Sequence, residues 1–94
     1  MDKKTEEFFD RLRTELEKSN SWPAIYLFKF IVPTDVEKIK QVDAAFDGMG
    51  AVMKTTQSKT GKFTSVSIDV QMQSPQAVID KYIEVSTIEG IISL

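Results

Sequence analysis

The stretch SKTGKFTSVSIDV, Ser58 to Val70, admits two readings: a phosphate cradle around Gly61 and Lys62, or the loop and returning strand of a hairpin. A nucleotide-binding cradle needs a first glycine five positions before the Gly-Lys pair and a Ser or Thr directly after it. The backbone must wrap the phosphate and the hydroxyl must reach magnesium. Thr56 and Phe63 occupy those two positions. The stretch therefore reads as a hairpin in which Gly61 supplies the positive φ that closes the turn. Past the loop, Val66, Ile68, Val70 and Met72 alternate with Ser65, Ser67, Asp69 and Gln71, the period of a strand with one buried and one polar face.

Upstream, WPAIYLFKFIVP is aromatic and β-branched, carries one charge, Lys29, and has proline at both ends. It reads as a strand. Period two places Tyr26, Phe28 and Phe30 on one face and Ile25, Leu27, Lys29 and Ile31 on the other. Since both rows are mostly apolar, the expectation is a central strand covered on both sides. Residues 2–18 carry five basic and six acidic side chains, which read as the solvated face of an amphipathic pattern, with Phe8, Phe9, Leu12 and Leu16 three and four apart opposite it. Thr5 to Lys18 is thus predicted to be a helix, and its apolar stripe is expected to cover the Ile25, Leu27 and Ile31 face or else to mediate dimerisation.

TDVEKIK follows the first strand, with Thr34 read as N-cap and Glu37 three residues on, and Val36, Ile39, Val42 and Phe46 form a helical stripe that stops at Gly48. AVMKTTQ reads as a strand. Ser74 and Pro75 open another helix, whose apolar face carries Val78, Ile79, Tyr82, Ile83 and Val85. IEGIISL is a last short strand. The expected fold is α+β: a ferredoxin-like βαββαβ sandwich, with a four-stranded antiparallel sheet and two helices on one face, preceded by the amphipathic helix. Residues 1–94 are expected to make one domain, with 1–21 a helical extension and 22–94 the core.

Composition narrows function by exclusion. The 94 residues contain neither cysteine nor histidine, which removes disulfides, thiol nucleophiles, soft-metal sites and the commonest general base. The acids Asp35, Glu37, Asp43 and Asp47 lie on helical segments with no nucleophile at recognisable spacing, so no catalysis and no cofactor is expected. A net charge of −2 and the polar residues Ser65, Ser67 and Asp69, at positions where an RNA-recognition strand presents aromatics, disfavour nucleic acid. No apolar run reaches membrane-spanning length and the acidic start does not resemble a signal peptide, so a cytoplasmic protein without membrane contact is expected.

Local charge is the remaining signal. Lys54, Lys59 and Lys62 flank the hairpin, and Asp69 is the only acid between Met49 and Gln73. Lys29, alone in an apolar strand, has to reach water or an acid. It is expected on the polar sheet face beside Ser65, Ser67 and Asp69, with Asp69 as its partner and with Ser58, Lys59, Gly61 and Lys62 as the adjoining loop. These eight residues form the candidate site for a partner protein or a small anionic metabolite, on a monomer or homodimer.

Trp22-Pro23, Lys29, the run Ser58, Gly61, Phe63, Ser65, Val66, Ser67, Ile68, and Val78 with Tyr82 together resemble the YbeD-like family of small bacterial proteins, from about Trp22 to Leu94. Val32 stands where that family commonly has glycine. The resemblance implies the βαββαβ fold and no established biochemical activity. It also implies an architecture similar to ACT domains, which bind amino acids or related metabolites at subunit interfaces, although the loop after the first strand reads VPTD here. The functional expectation is a non-catalytic regulatory or protein-interaction module, with ACT-like metabolite binding and RNA binding as successive alternatives.

Overall fold

The computed structural model describes residues 2–94. Its order is α1 (Lys3–Ser19), β1 (Ala24–Pro33), α2 (Val36–Ala45), β2 (Val52–Gln57), β3 (Phe63–Met72), α3 (Pro75–Val85) and β4 (Ile92–Ser93). The strands form one antiparallel sheet in the order β2-β3-β1-β4, compatible with a ferredoxin-like arrangement. β1 and β3 pair along their whole ten-residue lengths, Ala24 opposite Met72 through Pro33 opposite Phe63.

The sheet has one buried face. Phe28, Phe30 and Val32 of β1 and Val66, Ile68, Val70 and Met72 of β3 pack with Val42 and Phe46 from the α2 side and Val78, Tyr82 and Val85 of α3. Aromatic rings dominate the centre, with Phe28 and Phe30 stacked at 5.9 Å and Tyr82 edge-on to both. Ser74 caps α3 through its hydroxyl, which accepts from the Ala77 amide, and Pro75 starts the helix as the sequence indicates.

Three expectations are corrected. The cap of α2 is Asp35, whose carboxylate accepts from the Glu37 amide at 2.9 Å. Thr34 instead shares a hydrogen bond between its hydroxyl and that of buried Thr64. A hydroxyl that can satisfy a buried partner is drawn into the sheet, and the next residue takes over the cap. Second, β1 is not covered on both sides: Ile25 is 75% and Leu27 44% exposed. Third, α1 does not cover that row. Its buried Leu16 and half-buried Phe9 and Leu12 pack toward α3 and the main core, Arg13 donates to Gln76 of α3 at 2.7 Å, and the Trp22 indole donates to the Leu16 carbonyl. The apolar face of α3 is broad enough to seat both the sheet and α1, so the sheet's other face stays open.

Candidate functional site

On the open face, the register aligns rows across three strands. Lys29 of β1 and Lys54 of β2 both stand opposite Ser67 of β3. At strand spacings of about 4.8 Å their backbones are about 10 Å apart with the serine hydroxyl between them. Leu27 and Val52 flank Asp69 in the next row, and Ile31 and Thr56 flank Ser65 in the one before. The face thus carries a cationic bar across its middle, with exposed Leu27, Val52 and Ile25 on one side.

Lys29 lies where the strand period placed it, exposed on the same face as Ser65, Ser67 and Asp69. Its expected ion pair does not form. The ion pairs among the described residues are Arg13 with Asp10 and Lys81 with Glu84, both within a helix. Asp69 is paired across the ladder with Leu27, one diagonal step from Lys29, and an exposed ammonium gains little from being held there. No carboxylate lies within 4 Å of Lys29, Lys54, Lys59 or Lys62 among the described residues.

The hairpin is a separate feature. The Ser58 amide donates to the Phe63 carbonyl, the Ser58 hydroxyl accepts from the Phe63 amide, and the Gly61 amide donates to the Ser58 carbonyl with Gly61 at φ +74. These bonds use the loop's own groups to close the turn, which settles the hairpin reading. Lys59 and Lys62 are exposed. Lys62 is five residues from Ser67 along β3, about 17 Å at strand rise, so Ser58, Lys59, Gly61 and Lys62 do not adjoin Lys29 as expected. Lys54, which sequence reasoning grouped with the hairpin, belongs to the central bar. Its signal was available: a closed turn pairing Ser58 with Phe63 fixes Lys54 opposite Ser67.

A second concavity lies on the other side of β1, between α1, α3 and the β4 edge. It is a cleft of about 360 Å³ lined by Phe8, Phe9, Leu12, Tyr26, Tyr82 and Leu94, with Ser86 and Ser93. The hydroxyls of Tyr26 and Tyr82 are 2.9 Å apart at its wall. Burial, then the hydrogen bond with Tyr26, pushes the Tyr82 phenol well above its usual range, so it remains neutral. Among the described residues no cluster of three or more acidic side chains could hold a metal ion, and no helix is long and apolar enough to cross a membrane.

The model of the DUF493 family, proteins of unknown function, matches residues 17–94, and the chain belongs to that family. YbeD-like proteins are members of it, so the resemblance read from Trp22, Pro23, Lys29 and the hairpin holds. Neither the curated proteins nor the solved structures yield a match.

Proposed function

We propose that this chain is a non-catalytic interaction module on a ferredoxin-like plan, and that its open sheet face receives an acidic segment of a partner protein. The observation that carries this reading is the Lys29–Ser67–Lys54 row. Two exposed ammonium groups flank a hydroxyl, no carboxylate among the described residues lies within 4 Å of either, and exposed Ile25, Leu27 and Val52 lie beside them. A carboxylate set over Ser67 would accept from the hydroxyl and both ammonium groups, while apolar neighbours of the acid would cover the aliphatic rows. In a chain of net charge −2, this bar supplies the local field that steers an acidic partner. The face offers no aromatic at Ser65, Ser67 or Asp69 on which a base would stack, which favours protein over RNA.

Affinity capture from native cell extract tests the reading. A partner held by the wild-type chain should be lost from the double variant Lys29→Glu/Lys54→Glu and released by raised salt, but retained by Lys59→Glu/Lys62→Glu. Equal retention by both double variants refutes the face as the docking surface. Retention of a small anion alone, read by calorimetry with inorganic phosphate, would replace the protein partner by a metabolite.

A further inference from the structure

β1 is ten residues long, whereas its outer neighbour β4 has two, opposite Phe30 and Ile31. The Lys29 carbonyl accepts from the Leu94 amide at 2.9 Å, so the odd-numbered residues of β1 turn their main-chain groups toward β4. The Thr34 amide donates to the carbonyl of Lys62, the residue just before β3, which places the even-numbered residues on the inner ladder. Beyond Lys29, the N–H and C=O groups of Leu27 and Ile25 therefore point off the sheet. Among the described residues no hydrogen bond reaches them from outside. This stretch is fully paired with β3 on its inner side, and the aromatic cleft lies beside it on the helix side.

The opposite edge differs. The bond from the Ser58 amide to the Phe63 carbonyl shows that Met53, Thr55 and Gln57 turn their main-chain groups outward on β2. Lys54 and the hairpin lysines beside it blunt that edge against pairing. Between Ala24 and Phe28 β1 has no charge at all.

We infer that the Ala24–Phe28 edge of β1 is a strand-addition site for an extended segment of a partner protein, one that alternates apolar residues with an acid. The segment continues the β4 line, antiparallel to β1, and takes four main-chain hydrogen bonds from Leu27 and Ile25. Its residue opposite Tyr26 enters the cleft toward Leu12, Phe9 and Tyr82. Its residue opposite Leu27 falls on the open face, diagonal to Lys29, whose ammonium has no carboxylate within 4 Å among the described residues and selects Asp or Glu there. This site rests on the free main-chain edge; it shares Lys29 and the neighbouring Ile25 and Leu27 with the docking face proposed above, but neither Ser67 nor Lys54.

The probe is a displayed library of eight-residue segments with apolar residues at alternate positions and the intervening positions randomised, selected on the full chain. The expected outcome is enrichment of an acid at one intervening position, with amide exchange slowed at Ile25 and Leu27 when the selected peptide is bound. Ile25→Pro removes an outward N–H without touching the β3 ladder and should weaken that peptide about tenfold, the worth of one main-chain hydrogen bond. Phe8→Glu, on an exposed cleft wall, should weaken it similarly, and Lys54→Glu should leave it unchanged. No selected peptide, or one whose affinity is indifferent to Ile25→Pro and Phe8→Glu, overturns the proposal. So does concentration-dependent protection of Ile25 and Leu27 without peptide, which would assign the edge to a second copy of this chain.

Discussion

The ammonium of Lys81 in α3 lies 2.5 Å from the carbonyl of Ala45 at the end of α2, and 5.2 Å from the centre of the Phe46 ring. It satisfies a terminal carbonyl, complements the negative end of the helix dipole and covers the ring that closes the core. Its side chain is 14% exposed, and Glu84 completes the set at 2.9 Å. Lys81→Met should therefore destabilise the fold by about 1.5–3 kcal/mol, the range for a hydrogen bond to a charged group. Chemical denaturation measures this, and an unchanged midpoint contradicts it.

Tyr82 sets a pH dependence. Its folded-state pKa is raised above the ordinary value of 10.0, first by burial and then by the bond with Tyr26. The folded state thus favours the neutral phenol, and this contribution is complete below pH 10 and declines as pH rises above it. Stability should be level through neutrality and fall from about pH 10, while Tyr82→Phe should remove the part of the fall that belongs to this hydroxyl. Denaturation midpoints across pH 8–11 in both proteins check the sign.

Two glycines with positive φ separate strain from crowding. Gly90 has φ +82, and a Cβ there would stand 2.8 Å from Pro33 Cγ, whereas Gly48, at φ +75, has open space around it. Gly48→Ala should cost about 1 kcal/mol and Gly90→Ala more, about 2–3 kcal/mol, since the loop leading into β4 must also shift. Equal melting temperatures for the two variants would show that Pro33 gives way freely.

Leu16 ties α1 to the core, being 6% exposed among the helices. Leu16→Ala should lose about 2–4 kcal/mol. An effect below 0.5 kcal/mol in urea denaturation would mean that α1 packs only loosely.

Much of the framework was legible. Alternation in Ser65–Met72 fixed which β3 residues are buried, and Ser74-Pro75 marked the start of α3, because both signals depend on near neighbours. The row Ile25, Leu27, Ile31 misled, since an apolar side chain looks the same in sequence whether a helix covers it or solvent does. The seat of α1 was hidden for the same reason: its stripe fits any apolar surface, and only the assembled α3 offers the matching one. The position of Lys29 followed from strand period, while its lack of a carboxylate partner depends on register with β3, which places Leu27 and not Lys29 opposite Asp69. Asp35 displaced Thr34 as a cap because Thr64 lies 30 residues away in sequence, beyond any local signal.

The lysine bar is tested most directly by a nuclear magnetic resonance titration of the full chain with the captured partner, following the side-chain signals of Lys29 and Lys54 and the amide of Ser67. These three should shift together, with Lys59 and Lys62 little changed, and Lys54→Glu should abolish the response. Shifts confined to the hairpin or to the helical side, with Lys29, Ser67 and Lys54 unmoved, would contradict it.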